Sequence, residues 1–131
     1  MNWHDILLER DFDETTLKEA LAEAFDVPPQ QVSIVNSIEE IQGGVAVVAE
    51  RTPTKGDFHC LLSLYVEREF ATKEPIQVTR RLCASLNVQA LIPDSSLNPY
   101  SMILVSKAGE VRLVTLDAES LDLREEYRLS S

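Results

Sequence analysis

Residues 57–70, DFHCLLSLYVEREF, decide the fold, because they predict a strand in the interior of a β-sheet. Alternate residues of a strand point to opposite faces of the sheet. The residues expected on one face are all apolar: Phe58, Cys60, Leu62, Leu64 and Val66. The other face carries Leu61 and Tyr65 among polar residues. Apolar groups on both faces at the centre of the segment favour an interior strand.

Other segments predict four further strands. Residues 31–37, QVSIVNS, are short and rich in β-branched residues, and residues 43–51, GGVAVVAER, form an apolar run. The TPTKG sequence at 52–56 contains proline and glycine, as turns between neighbouring antiparallel strands do. The last two strands are predicted at 101–106 and 111–116, and the hairpin turn between them has glycine where positive φ is needed.

Two amphipathic helices are predicted between these strands. Residues 13–25, DETTLKEALAEAF, place apolar side chains at the spacing of one helical stripe, and Asp13 is the expected N-cap. Residues 75–86 begin with proline, whose missing N–H costs nothing at the first helical position. Asn87 then suits the left-handed cap that ends such a helix.

The element order is therefore α-β-β-β-α-β-β, which predicts an α+β fold. We expect a mostly antiparallel sheet of about five strands with both helices packed on one face. Residues 117–131 fit either an edge strand or a short helix, and residues 1–10 receive no assignment. A length of 131 residues with 44% hydrophobic content predicts a single α+β domain over residues 1–131.

Composition also indicates a compartment. No apolar run approaches the roughly 20 residues that cross a bilayer. The acidic start of the chain lacks the features of a secretory signal. Cys60 and Cys83 lie in apolar patterns without CxxC spacing, which is typical of reduced core residues. We expect a cytoplasmic protein that does not contact membranes.

Charge is distributed unevenly along the chain. The 22 acidic and 12 basic residues give a net charge of −10, which disfavours nucleic acid as a partner. Residues 1–26 contain eight acidic and two basic residues, a net of −6. Residues 51–91 contain four acidic and six basic residues, a net of +2. The negative end of the molecule should therefore lie near the first helix.

The sequence contains no motif that assembles a catalytic or metal-binding site. Zinc needs three or four converging ligands, and the Asp57–His59 pair supplies only the start of such a set. His59 and Cys60 are neighbours on a strand, so they face opposite sides and cannot pair as base and nucleophile. Only Cys60 with His4, or His59 with a serine from elsewhere, could form such a pair through the fold. The four glycines do not form a phosphate-binding loop. We expect neither an enzyme nor a bound metal or cofactor.

The loop at 91–100, LIPDSSLNPY, has two readings. Asp94 and Asn98 each lie beside a proline, and both combinations prescribe turns. The loop also presents Tyr100, and a segment held by two prolines loses little conformational entropy when it docks. It is therefore either a turn that serves only the fold or a recognition surface.

Residues 91–117, LIPDSSLNPYSMILVSKAGEVRLVTLD, resemble small acidic bacterial proteins found as immunity partners of secreted toxins, or as uncharacterised neighbours of them. The resemblance lies in the Asp-Ser then Asn-Pro-Tyr turn, the apolar hairpin after it, and the Leu116-Asp117 pair that closes the hairpin. It implies a partner protein and assigns no functional residue.

These observations favour a non-enzymatic module that binds a basic partner protein through an acidic surface, as an immunity or adaptor protein would. The predicted partner-binding residues are Asp11, Asp13, Glu14, Glu39, Glu40, Asp94, Asn98 and Tyr100. The alternative is a small-ligand binder or minor hydrolase, with a pocket between the sheet and the 91–100 loop and His59 or Tyr65 at its floor. Homodimerisation through an unpaired sheet edge is a third hypothesis.

Overall fold

The computed structural model describes residues 2–40 and 43–130, and this part of the chain forms nine strands and three helices. The strands are β1 Asn2–Leu8, β2 Val32–Val35, β3 Val47–Pro53, β4 Lys55–Gly56, β5 Cys60–Val66, β6 Ala90–Pro93, β7 Ser101–Val105, β8 Val111–Thr115 and β9 Glu126–Tyr127. The helices are α1 Glu14–Phe25, α2 Pro75–Leu86 and α3 Ala118–Arg124. None of these described helices is long and apolar enough to span a membrane.

The main sheet has the strand order β2-β3-β5-β1-β6-β7-β8. β2 and β3 run parallel, and the other neighbouring strands of this sheet are antiparallel. β5 lies between β3 and β1, so the prediction of an interior strand is confirmed. The short strands β4 and β9 pair in parallel outside the main sheet.

The two long helices form where the sequence predicts them. Asp13 is the N-cap of α1, and its Oδ1 accepts the Thr16 N–H at 2.7 Å. This bond satisfies one of the donors that a first helical turn leaves unpaired. α1 is followed by Asp26 and α2 by Asn87, both in the left-handed conformation with φ of 58° and 56°. These residues end the helices and turn the chain back toward the sheet.

Both helices pack on one side of the sheet, which we call the helix face. Ile6, Leu8, Leu62, Leu64 and Ile92 project from the strands into a single core cluster with α1 and α2. The helices contribute side chains without exposed surface: Leu17, Leu21, Phe25 and Leu82. Burying one such side chain contributes about 1.5–3 kcal/mol, so this cluster is a major source of stability.

The other side, which we call the opposite face, is covered by residues 116–130, the closing segment. Leu7, Leu91 and Leu104 project from the sheet into a second cluster that includes Phe58 from the loop between β3 and β5. Four residues of the closing segment belong to this cluster or pack against it: Leu116, Leu121, Tyr127 and Leu129. The sheet is therefore covered on both faces.

Gly56 joins the loop to the closing segment. Its φ is 102°, and the Tyr127 carbonyl oxygen lies 2.5 Å from the position that a Cβ on Gly56 would occupy. A larger residue would clash with the backbone of β9 and break the pairing of β4 with β9.

The α+β class is correct, but the predicted number and arrangement of strands are wrong. In the described residues the main sheet has seven strands, because residues 1–10 supply the central β1 and residues 90–93 supply β6. The ambiguous segment at 117–131 forms a third helix followed by the short β9. The sheet is also mixed, since β2 pairs in parallel with β3.

The predicted position of Phe58 is wrong as well. It belongs to the cluster on the opposite face, whereas Cys60, Leu62 and Leu64 belong to the helix face. The strand begins only at Cys60, so the alternation that places residues on faces does not extend back to Phe58.

Phe58 should act as the anchor of the opposite face. We expect Phe58→Ala to lower the free energy of unfolding by about 3–5 kcal/mol, because it leaves a cavity in a fully buried cluster. Leu97→Ala is the control, since Leu97 is 102% exposed and its replacement should change stability by less than about 0.5 kcal/mol. Urea denaturation measures both, and equal effects would contradict the anchoring role.

Candidate functional site: an acidic surface on α1

The connection from β1 to α1 holds the first group of predicted acidic residues. Asp11, Asp13 and Glu14 lie in it or at the start of α1, and all three are exposed. Arg51 of β3 fixes the connection, because its Nη1 donates to the Phe12 carbonyl at 2.7 Å. The three carboxylates are therefore attached to the end of the sheet at which β1 and β3 finish.

The second group follows β2, which runs parallel to β3 and finishes near the same end of the sheet. Glu39 and Glu40 lie in a 3₁₀ turn and are exposed. Glu40 Oε2 accepts the Asn36 N–H at 2.9 Å, which keeps the turn close to the end of β2. Five of the eight predicted residues are thus placed by elements that finish at one end of the sheet.

Two of these carboxylates also serve the fold. Hydrogen bonds from the Thr16 side chain and N–H lower the pKa of Asp13, which caps α1. Asp11 Oδ1 accepts the Phe12 N–H at 2.9 Å and lies 3.9 Å from Arg51 Nη1. Part of the charge of this group is therefore compensated within the chain.

Three exposed glutamates of α1 are compensated less, although the charge of Arg81 on α2 attracts Glu23. Glu14, Glu19 and Glu23 are exposed, and their side chains make no hydrogen bond or ion pair with any other residue of the described chain. Arg81 on α2 is already engaged, since it donates to both carboxylate oxygens of Asp26 at 3.0 Å. This contact lowers the pKa of Asp26.

Glu19 and Glu23 are missing from the predicted set, although the sequence contains their signal. They are four residues apart on the exposed side of α1, away from the buried stripe. Like charges at this spacing destabilise a helix by about 0.2–0.5 kcal/mol. We call Asp11, Asp13, Glu14, Glu19 and Glu23 the α1 acidic surface.

The loop residues of the predicted set lie at the other end of the sheet. β6 runs antiparallel to β1, so the loop that follows β6 is remote from the start of α1. Asp94 accepts the Ser101 hydroxyl at 2.8 Å, and Asn98 Oδ1 accepts the Tyr100 N–H at 2.9 Å. The Tyr100 hydroxyl donates to Asp122 at 2.7 Å.

These contacts show that the loop is held by its own polar groups. The hydroxyl of Ser101, followed by that of Ser96, lowers the pKa of Asp94, and the hydrogen bond to Asp122 raises the pKa of Tyr100. The structure does not bring Asp94, Asn98 or Tyr100 together with the carboxylates of α1.

Among the cavities of the described residues, two that share lining residues lie on the opposite face. The larger has a volume of about 450 Å³ and is lined by Thr52, Pro53, Thr54, Lys55, Leu61, Leu121, Glu125 and Tyr127. The smaller, of about 160 Å³, is lined by Asp5, Leu7, Leu61, Leu91, Pro93, Met102 and Tyr127. Both are lined by Leu61 and Tyr127, so they are adjacent, and we call the two together the groove.

This groove only partly matches the alternative hypothesis. Pro93 borders the smaller cavity, so a concavity does exist between the sheet and the 91–100 loop. Neither His59 nor Tyr65 lines these two cavities. His59 is exposed, and its Nε2 lies 2.9 Å from the Gly56 carbonyl oxygen.

Burial also determines whether the two cysteine thiols can act as nucleophiles. Cys60 and Cys83 are free and fully buried. Burial raises the pKa of each thiol to about 12, so neither forms a thiolate at neutral pH. Within the described ranges, no group of three or more His, Cys, Asp or Glu side chains is arranged to hold a metal ion.

Comparisons with known proteins add no further assignment. No protein-family model, curated protein or solved structure matches this chain. The resemblance to immunity-type proteins therefore stays a prediction.

The thiols provide a test of the core. In the folded protein we expect neither cysteine to react with a thiol reagent at mildly alkaline pH, because the pKa of each is about 12 instead of the ordinary 9.0. Both should react in denaturant. Absorbance of the released reagent anion measures the reaction, and one rapidly titrating thiol in the native state would contradict the burial of that cysteine.

Acid should destabilise the protein through its paired carboxylates. The carboxyl groups with lowered pKa are Asp13, Asp26, Asp94, Asp117 and Glu126. A group whose folded pKa is lowered stabilises the fold above its unfolded pKa, and this contribution is lost as the pH falls through the folded pKa.

We therefore expect the free energy of unfolding to decline as the pH falls below the ordinary values, 4.5 for Glu and 3.8 for Asp. Urea denaturation at a series of pH values measures the decline. Asp26→Asn should make it shallower, because the variant lacks one contributing group. A constant free energy well below the lower of the two values would contradict this assignment.

Proposed function

We propose that this protein is a non-enzymatic interaction module that binds a basic partner protein through the α1 acidic surface. The observation that carries the proposal is the exposed set of Glu14, Glu19 and Glu23, whose side chains have no hydrogen-bond or ion-pair partner in the described residues. An immunity or adaptor role, in which the module masks a cationic surface, fits this arrangement.

Energetic considerations support this surface over other acidic positions. A cationic partner would relieve the repulsion between Glu19 and Glu23, and at Glu23 it would compete with the electrostatic attraction of Arg81. Exposed carboxylates also accelerate encounter with a positively charged partner, and salt screens this effect. Asp11, Asp13, Glu39 and Glu40 extend the negative region around the start of α1.

Asp94, Asn98 and Tyr100 take a secondary place in the proposal. They lie at the far end of the sheet from the start of α1, and each makes a hydrogen bond within the chain. A partner would have to extend along the sheet to contact both regions. The cytoplasm remains the proposed compartment, and two free, buried cysteines support it.

The groove on the opposite face supports a second candidate function, the binding of a small ligand. Its larger cavity, of about 450 Å³, lies within the range of about 300–1,000 Å³ that is usual for ligand sites. Lys55 and Glu125 supply opposite charges to its lining, and Leu61, Leu121 and Tyr127 supply apolar surface.

Neutralising α1 should weaken binding to a cationic probe. We expect Glu19→Gln combined with Glu23→Gln to reduce low-salt affinity for an oligolysine peptide about three- to tenfold, and high salt to abolish the difference. The matched control is Glu119→Gln combined with Glu125→Gln, which removes the same charge from the closing segment. Biolayer interferometry with immobilised peptide measures both, and pull-downs from a host extract repeat the comparison.

The two pairs of substitutions distinguish the hypotheses. Equal weakening by both would show that net charge alone attracts the probe, which contradicts a specific role for α1. If an extract component is lost only from the Glu119 and Glu125 variant, the closing segment, which contributes Glu125 to the groove, is the binding surface. Urea denaturation should show no loss of stability in the Glu19 and Glu23 variant, because a repulsive pair has been removed.

A further inference from the structure

β8 forms an edge of the main sheet. The hydrogen bonds at the two ends of the β7–β8 pair show which backbone groups of β8 face β7 and which face outward. Ser106 N–H donates to the Glu110 carbonyl, and Leu116 N–H donates to the Tyr100 carbonyl, each at 2.8 Å. Hydrogen-bonded pairs alternate along an antiparallel ladder. Arg112 and Val114 therefore bond to β7, and the residues between them direct their N–H and C=O groups away from it.

The residues with outward backbone groups are Val111, Leu113 and Thr115. The Thr115 carbonyl accepts the Ser130 N–H at 2.8 Å, so the closing segment occupies this end of the edge. In the described chain no strand pairs with the outer edge of β8 at Val111 and Leu113. These two residues leave four backbone hydrogen-bonding groups for a further strand.

Side chains at the same edge are apolar on one face and charged on the other. Val111 and Leu113 lie opposite Val105 and Ile103 on the helix face, and they are 37% and 68% exposed. Glu110 and Arg112 flank Val111, are exposed, and make no ion pair within the described residues.

We propose that β8 pairs with β8 of a second copy of this chain, antiparallel and with Val111 on the twofold axis. In this register Glu110 of each copy lies opposite Arg112 of the other, in the non-hydrogen-bonded positions where side chains are closest. Leu113 of each copy then lies opposite Gly109, whose N–H donates to the Ser106 carbonyl and whose carbonyl accepts Arg80 Nε at 3.0 Å within its own chain. The backbone hydrogen bonds between the copies are therefore those that the two Val111 residues exchange. The edge is complementary to itself in charge, and its central residue pairs with its own copy through the backbone.

The neighbouring registers are less favourable. An axis at Leu113 would pair Val111 with Thr115, but Ser130 already covers the outward side of Thr115. An axis at Arg112 would place two guanidinium groups opposite each other, and like charges in that position are destabilising. The axis at Val111 avoids both problems and stops the pairing at Leu113, before the closing segment.

The local charge also permits two copies to approach at this edge. Residues 101–115 contain Lys107, Glu110 and Arg112, a net of +1, whereas the whole chain has a net charge of −10. Repulsion between copies is therefore smaller here than at α1. The paired segment is short, so a weak, concentration-dependent dimer is expected. This inference concerns a surface separate from the α1 acidic surface.

Charge reversal tests the register. Sedimentation equilibrium across two decades of concentration should show a monomer–dimer equilibrium for the unaltered chain. Glu110→Arg and Arg112→Glu should each raise the dissociation constant about tenfold or more, because each places like charges at both Glu–Arg positions. An equimolar mixture of the two variants should dimerise again, since opposite charges then meet at both positions.

The double variant, Glu110→Arg with Arg112→Glu, should also restore the dimer. Both sites are exposed, and circular dichroism checks that each variant is folded. A chain that stays monomeric at every concentration overturns the proposal, and so does a mixture that dimerises no better than its components. These variants leave α1 unchanged, so the oligolysine measurement gives an independent result.

Discussion

The pairing of β1 with β5 at the centre of the sheet is the constraint on which the rest of the structure depends. Ile6 lies opposite Leu62 and Leu7 lies opposite Leu61, so this pair presents apolar side chains on both faces. Each square ångström of apolar surface left in water would cost about 25 cal/mol. The chain must therefore cover both sides of its sheet. The two long helices cover one side, and residues 116–130 cover the other.

The helices on one face and the closing segment on the other cover the sheet differently, and this difference explains which surfaces stay exposed for binding. On the helix face α1 and α2 fill the core with their inner stripes, which leaves the outer side of α1 free to carry charge. On the opposite face the cover is a short helix, a short strand and the loop carrying Phe58, and it leaves a groove. The sheet also continues past the helices to β8, whose apolar side chains stay partly exposed.

The helices and the interior strand could be predicted from the sequence because their signals are local. Asp13 and Asn87 mark helix ends by their own capping chemistry, and β5 has apolar residues on both faces. β1 lacks such a signal, since Ile6, Leu7 and Leu8 are consecutive apolar residues without alternation. Its status as a strand is set by β5 and β6, which are distant in sequence.

The acidic site could be predicted only in part for the same reason. Composition locates negative charge near the start of the chain but does not reveal which carboxylates are used internally. Asp26 is bound by Arg81, which is 55 residues away, whereas Glu19 and Glu23 are left outward. The loop residues Asp94 and Asn98 have turn chemistry that the sequence shows, yet their distance from α1 depends on the antiparallel placement of β6.

The link between Gly56 and Tyr127 has a consequence for biosynthesis. The ribosome makes β1, Phe58 and the central strands well before it makes β9, to which the loop around Gly56 is fastened. A nascent polypeptide that has reached β8 can already assemble its helix-covered side, but Leu7 and Leu91 still face water. Completion of the core during translation therefore waits for residues 116–129. A product interrupted before them would expose the apolar side chains of the opposite face and would be prone to aggregate.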